Sequence, residues 1–255
     1  MPNARSKPDP LSLERPVLFL HIAKTAGTSI VHFFRQRLPD AAVCSHGDFL
    51  HYPAGRIQFR ETLLQHQFIS GHFGYRHIAD LLEQCYSFTF LRDPVERVLS
   101  FYNFCQYADM QQRFPVARAA CDLGLEGFVT STLPEVCEVV DNQQVWQLAS
   151  MYWREDRQVL SRLPSAELLA LATTHLTGVD HVGLTATFND DFQHILADLG
   201  IEQSVPQKRQ FASREPTSRE SLPAPALAAL QERLQPEYQL LEAAHRLRRE
   251  RHDDH

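Results

Sequence analysis

The sequence predicts an α/β fold in which buried parallel strands feed helices, and two segments with the same order of elements predict it. Val17 to Ile22 is an almost unbroken apolar run, the pattern of a strand covered on both faces. Ile30, Phe33, Phe34 and Leu38 then recur at helical spacing, so a helix follows. Tyr86 to Leu91 repeats the apolar run, and Val95, Val98, Leu99 and Tyr102 repeat the helical stripe. A chain of 255 residues with 44% hydrophobic content can bury one sizeable α/β core, and no linker divides it. Residues 16–250 are therefore read as a single domain behind a flexible extension at 1–15.

Between the first strand and its helix stands Lys24-Thr-Ala-Gly-Thr-Ser29: one cation, three hydroxyls and a glycine. A helix N-terminus offers unpaired N–H groups and partial positive charge, and Gly27 lets the backbone approach an anion closely. This is a phosphate cradle, yet not a Walker A loop, because the lysine precedes the glycine. Ile57 to His66 reads as a helix and Phe68 to Gly74 as a short strand ending at His72. After the strand at 86–91, Asp93 is placed to cap a helix and Pro94 suits its first turn. The apolar stripe of that helix leaves Arg97 and Ser100 on a different face. Arg92 at the strand exit can then share an anion with Ser100. The stretch from Asn103 to Pro134 lacks clear periodicity. Helices are expected again at Ser165–His175 and over Leu227, Leu230, Leu234, Tyr238 and Leu241, with a break at Pro236.

KTAGTS and the ungapped RDPVERVLSFY that follows resemble the sulfotransferases that use 3′-phosphoadenosine 5′-phosphosulfate (PAPS). The likeness is to the carbohydrate group with the heparan sulfate and uronyl 2-O-sulfotransferases and their bacterial relatives. Ala23 and Ala26 stand where that group commonly has proline and glycine, so a somewhat different turn with the same donors is expected. The resemblance covers roughly residues 16–246. It implies a P-loop-like three-layer domain, a central parallel sheet flanked by helices, with both phosphate motifs at strand C-terminal ends. It also implies that Lys24, Thr25, Gly27, Thr28 and Ser29 hold the 5′-phosphosulfate and that Arg92 and Ser100 hold the 3′-phosphate. Lys24 would offset charge on the leaving phosphate.

In the same family a strand ending in Gly-His supplies the general base, which points to His72 in preference to His46 and His51. A neutral imidazole is available near physiological pH, since histidine titrates around ~6.5. The segment 207–219 matches a loop that closes over the adenine and 3′-phosphate, with Arg214, Thr217 and Ser218 as candidates; a solvated surface loop is the alternative. Asp141 to Leu148 is similar to the family's N-x-Q-x-x-x-L helix, in which Asn142 and Gln143 could face the acceptor or form an exposed polar edge. His181 to Asn189 resembles a V-G-L-T-E strand and turn, with Ala186 in the glutamate's place and no chemistry assigned to it.

The implied reaction moves a sulfuryl group from PAPS to an acceptor hydroxyl on a glycan or glycolipid, releasing 3′-phosphoadenosine 5′-phosphate (PAP), with no metal. Acceptor identity and oligomeric state are not legible. A P-loop nucleotide kinase or NTPase is the rival enzyme, and a silent nucleotide-binding module the rival of another class. The net charge of −6 and the lack of a basic, aromatic-interleaved run argue against a nucleic-acid binder. Five widely spaced cysteines, with no C-x-x-C, read as reduced thiols. Residues 1–15 contain no apolar segment that could target or span a membrane. Animal members of the family carry an N-terminal Golgi anchor, so the expectation is a cytoplasmic bacterial enzyme unless such an anchor has been removed.

Overall fold

The computed structural model describes residue 11 and residues 13–45, 61–149, 163–202 and 217–253. The chain alternates β1 (Val17–Leu20), α1 (Gly27–Arg35), β2 (Val43–Cys44), β3 (Phe68–Gly71), α2 (Tyr75–Ile78) and β4 (Tyr86–Leu91). Helices α3 (Pro94–Cys105), α4 (Ala108–Arg113), α5 (Pro115–Thr130), α6 (Pro134–Val140), α7 (Gln143–Ala149) and α8 (Ser165–Thr177) follow. Then come β5 (His181–Leu184), α9 (Phe188–Asp198), α10 (Ala224–Arg233) and α11 (Gln235–Asp253). The two helices expected at 165–175 and 227–241 are present, and the second is divided at Leu234, with Pro236 in the first turn of α11. Of the helix expected at 57–66, residues 57–60 lie outside the described residues, and the described part is helical at 61–63 and turns at 64–65.

The five strands form one parallel sheet in the order β2-β3-β1-β4-β5. Each strand is short and buried on both sides, which explains the unbroken apolar runs. Alternate side chains build two cores. Val17, Phe19, Phe68, Phe88 and Phe90 pack with Ile30, Phe33 and Phe34 of α1 and Phe192 of α9. Leu18, Leu20, Ile69 and Leu91 face α7, α8 and α11 on the other side. The result is three layers. Polar residues within β4 are satisfied in place: Thr89 Oγ1 donates to Leu20 O at 2.8 Å and Ser87 Oγ to Asp180 at 2.8 Å. Helices α3 to α6 and α10 form a third apolar cluster beside the sheet. Among the described residues no helix is long and apolar enough to cross a membrane.

The strand order fixes where a ligand can sit. From central β1 the chain moves to β2 and β3 on one side, then to β4 and β5 on the other. The connections leaving β1 and β4 therefore diverge and open a crevice at the carboxyl ends of these adjacent strands. The loop at 21–26 and the start of α3 border it.

Candidate active site

The loop after β1 turns back on itself through two left-handed residues, Lys24 and Ala26, both at φ 70°. Left-handed residues in a short loop turn successive N–H groups toward a common point, a concavity that suits anions. Ala26 is also the N-cap of α1, and no side chain caps that helix. The first N–H groups of α1 are therefore open to a ligand, since a helix leaves its opening donors unpaired. Thr25 is fully buried, and its hydroxyl donates to Ile22 O at 2.8 Å. Its side chain shapes the loop. Thr28 is exposed and Ser29 half-buried.

Gly27 is required by the fold as well as by any ligand. A Cβ there would lie 1.7 Å from Nε2 of His21, because that imidazole lies against the start of α1. His21 stacks on Phe19 at 5.1 Å and contacts the His72 ring at 4.3 Å. His72 follows β3, and its Nδ1 lies 2.7 Å from His21 O. A carbonyl only accepts, so Nδ1 carries the proton and Nε2 keeps the lone pair. Gln147 of α7 donates to the same carbonyl at 2.9 Å and to Phe73 O at 3.1 Å. This buried amide joins the exits of β1 and β3.

Lys24 reaches along α3 until its Nζ lies 4.5 Å from the centre of the Phe104 ring. Burial, reinforced by the nearby Arg92 cation, lowers its pKa from 10.5 to about 8, with Cys105 opposing the shift. An incoming anion would reverse that depression. Arg92 ties the second motif to the first: its Nη1 donates to Lys24 O at 3.3 Å. Its backbone is held by Gln144, which accepts from Arg92 N and donates to Arg92 O, each at 3.0 Å.

Asp93 caps α3 by accepting from Glu96 N at 3.0 Å, with Pro94 behind it. Arg97 stands off the apolar stripe of α3 and is nonetheless fully buried, 3.4 Å from the equally buried Glu237. Its guanidinium also donates to Val139 O, Val140 O and Gln143 Oε1. The reason is that α3 is enclosed on both sides, by its own apolar cluster and by α6, α7 and α11. Gln143 is consequently 5% exposed and accepts from Arg97, so it does not form the exposed polar edge. Glu237 in turn accepts from the backbone and side chain of Gln144, at 2.8 and 3.0 Å.

Ser100 is half-buried on α3. Thr217 donates through N and Oγ1 to Asn103 Oδ1, which brings it alongside that helix. Ser218 is exposed and closes a capping box with Ser221. Asn142 takes φ 50° and donates to Arg233 O at 3.2 Å. Arg214, His46 and His51 lie outside the described residues.

Sequence reasoning passed over His21, Phe104, Gln144, Gln147 and Glu237. His21 carried a local signal as the residue two before the small-residue loop, and Gln144 as the glutamine of the N-x-Q-x-x-x-L segment. The others are brought in by the tertiary fold.

A search of curated proteins returns no match. The model of the sulfotransferase family matches residues 12–247, a span that takes in both loops, the His72 strand and the C-terminal helices. With that match over nearly its whole length, this chain belongs to the sulfotransferase family, whose chemistry is transfer of a sulfuryl group.

Proposed function

We propose that this enzyme takes its sulfuryl group from PAPS and delivers it to a hydroxyl on a carbohydrate. The observation that carries the reading is the joining of two anion-type sites across one crevice. The uncapped, left-handed loop at 24–28 and the Arg92–Ser100 segment are linked directly by the Arg92 to Lys24 carbonyl hydrogen bond. A donor with phosphate at both the 5′ and 3′ positions calls for such a pair. A nucleoside triphosphate does not need the second.

In this reading the open N–H groups of α1 hold the 5′ end, and Arg92 and Ser100 hold the 3′-phosphate. The donor supplies an activated sulfuryl group. His72 receives the acceptor's proton at Nε2, since Nδ1 is committed to His21 O. Lys24, lysine-like but with a depressed pKa, offsets negative charge where the nucleotide departs. Asp93, the residue a kinase would need for magnesium, instead caps α3 and pairs with Arg219. The carbohydrate acceptor rests on sequence resemblance to the 2-O-sulfotransferase group.

The test combines calorimetry with PAP and a labelled-donor screen across glycans, glycolipids and small hydroxylated molecules. PAP should bind far more tightly than adenosine 5′-monophosphate, and His72→Ala should keep PAP affinity while lowering turnover by ~10²–10⁴. Equal affinity for the two nucleotides would refute the donor. Sulfation of non-sugar hydroxyls alone would refute the acceptor.

A further inference from the structure

Glu96, in the first turn of α3, directs its two carboxylate oxygens at two different arginines. Oε2 is 3.7 Å from Arg92 Nη2 and Oε1 is 3.5 Å from Arg219 Nε. Arg219 also pairs with Asp93. One clause of the sequence explains why Arg219 is there: Thr217 is anchored to Asn103 through two hydrogen bonds. The chain from 217 to 219 therefore lies along α3, from Asn103 back toward Asp93. Glu96, Ser100 and Asn103 are spaced four and three residues apart and share one face of that helix. Ser100 sits between the two tethers. The three charged side chains are 25%, 38% and 34% exposed for Arg92, Glu96 and Arg219, so an anion arriving from solvent can reach them.

We propose that Glu96 is an internal counter-anion that competes with the donor's 3′-phosphate for Arg92 and Arg219, and so sets nucleotide affinity and the ease of product release. The proposal rests on the reading of Arg92 and Ser100 as the 3′-phosphate site. A phosphate monoester brings roughly −1.5 to −2 charges and three acceptor oxygens, more than one carboxylate offers. On its arrival Glu96 must either give up both arginines or remain as a like charge beside the phosphate. Both outcomes weaken binding. When the spent nucleotide leaves, Glu96 re-forms its pairs, restoring an anion to Arg92 and a second one, beside Asp93, to Arg219. The opposite role, in which Glu96 orients the arginines to help the phosphate, predicts a change of opposite sign on its removal.

Calorimetry with PAP and with adenosine 5′-monophosphate, on wild type, Glu96→Gln and Arg92→Ala, separates these. Glutamine keeps the length and the helix position but not the charge. Glu96→Gln should bind PAP about tenfold more tightly, the scale of one short-range like-charge contact at a half-exposed site. Its affinity for adenosine 5′-monophosphate should stay within about twofold, which also reports that the variant is folded. Glu96→Ala should move PAP in the same direction. Unchanged or weaker PAP binding by both Glu96 variants overturns the proposal. If Arg92→Ala weakens PAP and adenosine 5′-monophosphate equally, the 3′-phosphate reading fails and the proposal falls with it. If Arg92→Ala weakens PAP alone while Glu96→Gln does not tighten it, only the proposal falls.

Discussion

Replacing Lys24 by methionine should make the protein more stable while removing transfer. The folded state holds Lys24 at a pKa of about 8 against 10.5 in an ordinary environment, chiefly through burial and then through Arg92. At about 1.4 kcal/mol per pKa unit that depression corresponds to roughly 3 kcal/mol. Because the side chain is only partly buried and its contact with Phe104 is lost with the charge, the net gain is set at about 1–2 kcal/mol. The sign follows from proton binding. The unfolded chain holds the lysine proton more tightly than the folded one, so below pH 8 the native state bears the full penalty. Between pH 8 and 10.5 the native state sheds the proton first, and wild-type stability rises toward that of the variant. Urea unfolding followed by circular dichroism at several pH values from 6.5 to 10 measures both curves. A gain near neutrality that fades as the pH climbs is expected. A destabilised variant, or a difference that does not vary with pH, would show that Lys24 is not held against its preference.

Three further substitutions probe the loop and its support. Ala26→Gly relieves a non-glycine residue at φ 70° and ψ 7°, and should raise stability by about 0.5–1 kcal/mol after the glycine's unfolded-state entropy is allowed for. Gly27→Ala has the reverse effect, because its Cβ would displace the His21 ring from between Phe19 and His72; a loss of about 1–3 kcal/mol in thermal unfolding is expected. Glu237→Gln removes the buried counter-charge of Arg97 and should cost about 3–5 kcal/mol in chemical denaturation. Pairing it with Arg97→Met should recover most of that loss.

The sheet was readable because β1 and β4 are buried on both faces and therefore show continuous apolar runs. The start of α3 was readable because Asp93 and Pro94 act locally, through a cap and a fixed φ. The burial of Arg97 was not legible because a helix wheel cannot register that a second buried charge, Glu237, arrives from a distant helix. The burial of Gln143 against Arg97 escaped for the same reason. The 103–134 region lost its periodicity at Gly124, whose φ of 67° interrupts α5 and divides the apolar stripe between two short arms. Gln144 and Gln147 look alike in sequence. Position alone assigns one to Arg92 and the other to the carbonyl shared with His72.

The Arg97–Glu237 pair also dictates when this site can come into being. Its partners are 140 positions apart, so at a translation rate of about 5–20 residues per second Arg97 waits roughly 7–28 s for its counter-charge to be made. Until then a guanidinium destined for the interior has no carboxylate to meet it, and Gln144 has no anchor from which to grip the exit of β4. The loop at 24–28 and the Arg92–Ser100 segment leave the ribosome early, yet the exit of β4 is fastened last, by α11. A nascent chain halted before Glu237 should therefore display both motifs and still fail to retain a nucleotide.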